Sequence, residues 1–94
     1  MARARSQMTA DTESVRITTW TFEDGEATGF HRHELDYVVV PITGGTFEIR
    51  DGRGGTRELV QQAAVAYLGS RGTEHDVVNR SGQPASFVEI ELKR

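Results

Sequence analysis

Cysteine is absent from the 94 residues, which excludes disulfides, thiolate ligands and any zinc knuckle of the cysteine type. Long apolar runs are missing as well. No segment approaches the ~20 residues needed to cross a bilayer. The opening "MARARSQMTADTESVR" has no apolar core of a signal peptide, so the cytoplasm is the expected compartment and no membrane partner is expected. Clustered charge of one sign is also lacking. The net charge is −3 with both signs interspersed, and Arg3 and Arg5 stand alone near the start. Nucleic acid, whose phosphates require grouped Lys and Arg, is therefore not an expected partner. Apolar residues are scarce at 36%, so a single domain of this size has a modest core. Additional burial in a homodimer is the natural supplement.

What is present is a series of turns. "EDGE", "TGG", "RDGRGG", "GSRG" and "RSGQP" punctuate the chain at short intervals, and no helical stripe of useful length lies between them. Short segments between Gly-rich turns predict an all-β sandwich or barrel of about seven to nine short strands. Residues 1–13 are polar and without periodicity, and read as a flexible N-terminal arm ordered only if it pairs. Residues 14–94 read as one β domain. "SVRITTWTF" is rich in β-branched and aromatic residues, and its apolar phase shifts between Ile17 and Trp20. A strand apolar on both phases needs cover on both faces, a second argument for a homodimer. "YVVVPIT" reads as a buried strand, with Pro41 marking a bulge or an edge. "GTFEIRDGRGGTREL" reads as a hairpin with Phe47 and Ile49 on one face. In "ASFVEIELKR", Val88, Ile90 and Leu92 are expected to face the core, and Glu89, Glu91 and Lys93 to face water.

Three histidines carry the chemistry. His31 and His33 stand one residue apart, and residues i and i+2 of a strand share a face with Cβ atoms ~6–7 Å apart. Two imidazoles at that spacing can reach one metal ion at ~2.1 Å from each nitrogen. His75 opens "HDVVN", a candidate neighbouring strand that could bring a third ligand. From spacing alone, a metal pair and a chance surface His-x-His are evenly matched. Arg32, between the two histidines, should point to the opposite face. Arg71, in the "GSRGTE" turn, is a candidate for binding an anionic substrate, against the plainer reading of a solvated turn residue. Trp20, Phe22, Phe30, Phe47 and Tyr67 are candidates for the core, or for the mouth of a barrel.

These residues fall into two motifs that resemble those of the cupins, small double-stranded β-helix barrels of the jelly-roll type. Gly25, His31, His33 and Gly44 match the first motif, and Tyr37 stands where that family has a glutamate. "SRGTEHDVVN" matches the second at Gly72, His75 and Asn79, with Ser70 in place of proline and Ala64 in place of the leading glycine. The wording "HRHELDYVVVP" is similar to a subgroup of short single-domain cupins associated by name with β-alanine degradation. The resemblance implies a cupin barrel and a divalent transition metal (Fe, Zn, Ni, Mn or Cu) held by His31, His33 and His75. It also implies a homodimer and a structural role for Asn79.

Tyr37 is the departure. A phenol is normally neutral and a poor ligand. Three readings follow: a site of three histidines only, a substitute carboxylate from Glu34 or Asp36, or Tyr37 as a pocket wall that hydrogen-bonds a bound ligand. The first and third together are preferred, with simple aromatic packing as the plain alternative for Tyr37. The leading functional expectation is a metal-binding cupin acting on a small organic molecule, as an oxygenase, isomerase or lyase. The alternatives are a non-catalytic small-ligand binder or sensor, and a metal-free structural barrel, because one fold hosts many chemistries.

Overall fold

The computed structural model describes residues 2–94, which form nine strands and no helix. The strands are β1 (Arg5–Asp11), β2 (Val15–Phe22), β3 (His31–Arg32), β4 (Tyr37–Pro41), β5 (Gly45–Arg50), β6 (Thr56–Gln61), β7 (Tyr67–Gly69), β8 (Glu74–Asn79) and β9 (Ala85–Leu92). They build two antiparallel sheets, β1-β2-β9-β4-β7 and β3-β8-β5-β6, which face each other as a flattened barrel. With no helix among the described residues, none is long and apolar enough to cross a membrane.

The core sits where the inner faces meet. Phe22, Tyr37, Val39, Ala85 and Phe87 come from the larger sheet, and Phe47, Ile49 and Val77 from the smaller. Phe22 and Phe47 have no exposed surface, and their rings meet edge-on at 5.3 Å, tying one sheet to the other. Phe87 completes the cluster at 5.5 Å from Phe22 and 5.9 Å from Phe47. Burying each such ring contributes about 1.5–3 kcal/mol. Asn79 is fully buried and fully satisfied: Nδ2 donates to the carbonyls of Glu23 and Gln83, and Oδ1 accepts from the backbone and hydroxyl of Ser81. It fastens the end of β8 to two loops, the structural role the family resemblance implies.

The expected hairpin is β5–β6, in register from Gly45↔Gln61 to Arg50↔Thr56. Asp51 shapes its turn by accepting from the backbone N–H groups of Arg53 and Gly55. Pro41 pairs with Phe87 of β9 but lies beyond the last β7 partner of β4, so its missing donor faces a local edge. Ala64 has φ +65°, so the left-handed turn survives at this position without the family's glycine.

Two expectations are corrected. Residues 5–11, read as part of a loose arm, form β1 by pairing with β2 from Arg5↔Thr21 to Asp11↔Arg16, with an irregularity between Met8 and Ala10. The pairing is made by backbone groups along an edge strand, so it leaves no apolar alternation in the sequence. The phase of β9 is inverted as well. Ala85, Phe87 and Glu89 face the barrel interior, while Val88, Ile90 and Leu92 lie on the outer face. Both phases of β9 carry apolar residues, and packing of Phe87 against Phe22 and Phe47 decides which turns inward.

Candidate metal centre

β3 and β8 pair antiparallel with His31 directly opposite His75. His33 lies just beyond β3, yet its backbone continues the ladder. Its N–H donates to the Thr73 carbonyl at 2.8 Å, and its carbonyl accepts from Gly72 N–H at 2.8 Å. Gly72 has φ +90°, so this close turn suits a residue without Cβ. The result is three imidazoles on one inward face, with ligand nitrogens all within 4.8 Å of one another.

The Nε2 atoms converge. They lie 3.1 Å apart between His31 and His33, and 3.2 Å apart between His33 and His75. Two nitrogens bound to one ion at ~2.1 Å stand ~3.0 Å apart at an octahedral corner and ~3.4 Å apart at a tetrahedral one. These two spacings fall between the limits, and with all three ligand nitrogens within 4.8 Å of one another the residues could hold a single metal ion.

The far nitrogens are arranged to match. His31 Nδ1 is 2.8 Å from the Gly29 carbonyl, an acceptor that holds the proton on Nδ1 and leaves the Nε2 lone pair free. His33 Nδ1 faces the Glu89 carboxylate at 4.0 Å. His75 Nδ1 is buried without a hydrogen-bond partner. Burial, followed by the charge of the neighbouring histidines, lowers both His33 and His75 from 6.5 to about 4. Both are therefore neutral near pH 7, the form that binds metal.

Tyr37 is not aimed at the convergence point. Its ring stacks on the His33 imidazole at 3.8 Å and 18° and lies across Gly69 on β7. A Cβ at position 69 would fall inside the ring. Burial and then the Glu89 charge raise the Tyr37 phenol above its usual value of 10.0, so it stays protonated. Glu34 and Asp36 also stay outside: Glu34 pairs with Arg32 at 3.5 Å in solvent, and Asp36 accepts from the backbone N–H of Arg71 at 2.8 Å. Arg32 points away from the site, as expected, and also pairs with Glu74 at 3.2 Å.

Above the histidines opens a cavity of about 290 Å³. His31, His75, Tyr37, Tyr67, Arg57 and Glu89 are its polar and aromatic walls, and Val39, Ile49, Leu59, Val77 and Phe87 are among its apolar ones. Arg71 is exposed on the turn after β7 and does not line it. Of the five aromatics singled out from sequence, Tyr67 alone reaches the cavity. Phe22 and Phe47 form the core, Trp20 packs against it, and Phe30 is exposed.

Two wall residues escaped sequence reasoning. Glu89 followed from the inverted phase of β9; burial, with the Glu91 charge behind it, pushes its carboxyl from 4.5 up to about 7. Arg57 alternates with Leu59 and Gln61 along β6, opposite inward-facing Ile49. That alternation was the available signal.

A double-stranded β-helix barrel with three convergent histidines under an open cavity is the architecture of a cupin, and the chain belongs to that family. It is 43% identical to the β-alanine degradation protein BauB of Pseudomonas aeruginosa over 83 residues, covering 88% of this chain and 86% of that protein. It is 39% identical to a crystallised cupin domain from Bordetella pertussis, with a TM-score of 0.93 and coverage of 99% and 96%. A double-stranded β-helix protein from Klebsiella pneumoniae shares the fold at 20% identity, with a TM-score of 0.78 over 97% of this chain and 77% of the other. No protein-family model matches the chain.

Proposed function

We propose that this chain is a metal-dependent cupin that binds and transforms a small organic molecule in the barrel cavity. The observation that carries the reading is the convergence of three Nε2 atoms, 3.1 and 3.2 Å apart, beneath a cavity of about 290 Å³. His31, His33 and His75 would hold one divalent transition metal, and neutral imidazoles suit Fe, Zn, Ni, Mn or Cu. Three protein ligands leave coordination positions free, as in catalytic rather than structural sites. A metal so bound supplies Lewis acidity toward a carbonyl or carboxylate, or redox chemistry if it is iron or copper.

The protein's own groups divide the remaining work. Val39, Ile49, Val77 and Phe87 keep the inner wall apolar and limit water. Tyr37 clamps the His33 ring from its face, and the Gly29 carbonyl fixes the His31 ring from its edge. Glu89 is the one carboxylate on the cavity wall, positioned to accept hydrogen bonds from a ligand's donor groups. BauB carries β-alanine degradation in its name, and a small charged metabolite is the class of molecule this cavity suits.

We also propose a symmetric homodimer. Val15, Ile17, Val38, Val40, Val88, Ile90 and Leu92 form an apolar strip on the outer face of the larger sheet, with Ile90 flanked by Ile17 and Val38. A second copy of the same sheet covers such a strip without any other partner.

The test is elemental analysis of the purified protein and of protein reloaded with each of the five metals, followed by turnover assays on small acids and amines. One ion per chain, lost in His33→Ala, supports the reading. Failure of the wild type to take up any of the metals stoichiometrically overturns it. Stoichiometric metal with tight ligand binding but no turnover would assign the protein to the binding or sensing class.

A further inference from the structure

The cavity has one cationic side chain on its wall, and that charge has no partner. Arg57 lies on the inward row of β6, opposite Ile49 and two residues from Leu59, both of which line the same cavity. Two of the acidic groups near it are committed elsewhere. Glu48 is held by Arg50 at 2.5 Å and by Arg80 at 3.7 Å. Asp51 is occupied by the backbone N–H groups of its own turn. Glu89 shares the cavity but lies against the neutral His33 ring at 4.0 Å and forms no ion pair with Arg57. Among the described residues Arg57 forms no ion pair, and its charge is felt at Tyr37, Tyr67 and His75, all of which line the cavity. Arg57 is exposed and so stands at the rim of the cavity, where its five donors, unused by carboxylates, form a ready fork for a planar anion.

We propose that Arg57 is the anion-recognition residue of this cavity, and that the ligand is a small organic carboxylate whose acid group pairs with the Arg57 guanidinium. This deepens the function proposed above and rests on the cavity being the ligand site. It assigns the anion-binding role to β6 rather than to the turn carrying Arg71. The apolar wall between Arg57 and the histidines, formed by Ile49, Leu59 and Val77, accommodates a short carbon chain. Glu89 faces the same space and favours a donor group, such as an amine or hydroxyl, elsewhere on that chain.

The experiment uses calorimetric or ligand-observed NMR titration of the full chain with propionate and β-alanine, and with their uncharged-end counterparts propionamide and β-alaninamide. Metal content is measured on every sample. The proposal expects each carboxylate to bind the wild type at least tenfold more tightly than its amide. In Arg57→Met that preference should collapse, with amide affinity, metal content and melting temperature unchanged. Arg57→Lys should fall between the two, keeping charge but losing the bidentate fork. Carboxylates that bind no better than amides, or an undiminished preference in Arg57→Met, would overturn it. A preference that depends on Arg57 in a wild-type protein that takes up none of the five metals would uphold this assignment while refuting the metal-dependent function, so the two failures are distinguishable.

Discussion

Acidifying the metal-free protein sets two buried bases against one buried acid, and the balance is calculable. His33 and His75 are held at about 4 in the fold, against 6.5 in an open chain. Between those values the unfolded chain binds protons that the native state refuses, so stability is lost as the pH falls through this window. The loss reaches about 3 kcal/mol per histidine. Glu89 acts in the opposite direction. Its folded value of about 7 exceeds the ordinary 4.5, so between the two the native state keeps a proton that the unfolded chain has released. Stability therefore declines as pH rises through that range, by about 3 kcal/mol in full. From pH 6.5 down to 4.5 two histidines outweigh one glutamate by a single proton, and stability should drop by about 1.4 kcal/mol per pH unit. Stability should level off near pH 7, where the proton balance reaches zero. In Glu89→Gln the opposing proton is gone, so the slope between pH 4.5 and 6.5 should steepen to about 2.7 kcal/mol per pH unit. Urea unfolding of chelator-treated protein between pH 4.5 and 7.5, followed by Trp20 fluorescence, measures both slopes. A flat profile, or a Glu89→Gln slope equal to that of the wild type, would refute the burial argument.

Other expectations follow from single contacts. Tyr37→Phe keeps the ring stacked on His33 and should leave metal stoichiometry intact by elemental analysis; loss of metal would show that the phenol is a ligand. Gly69→Ala places a methyl inside the Tyr37 ring and should cost about 1–3 kcal/mol in urea unfolding through overpacking, with weakened metal affinity as Tyr37 shifts. An unchanged midpoint would mean that the ring moves freely. Ile90→Arg puts a charge at the centre of the outer apolar strip and should halve the mass seen by light scattering at micromolar concentration; a wild-type monomer would dispose of the dimer. Ala64→Gly relieves a left-handed alanine at φ +65° and should raise stability by about 0.5–1 kcal/mol, a gain that a lower unfolding midpoint would contradict.

Sequence by itself determined the class of fold, because Gly-rich turns at short intervals leave room only for short strands. It also placed the β5–β6 hairpin through "DGRGG", and it paired His31 with His33, since residues two apart on a strand must share a face; His75 joined them there only through the family resemblance, and the structure brings the three together. Tyr37 was read as a pocket wall or as simple aromatic packing, and the structure gives it both parts, stacked on His33 and lining the cavity. What tertiary structure alone decided concerns faces and edges. β1 has no apolar alternation because its backbone, not its side chains, joins it to β2. Alternation along β9 is apolar on both phases, so periodicity could not say which phase is inside; the fit of Phe87 between Phe22 and Phe47 chose, and it carried Glu89 into the cavity with it. Arg57 became a cavity residue for the same reason: a strand's pleat fixes which residues travel together, but only the opposing sheet fixes which side is the interior.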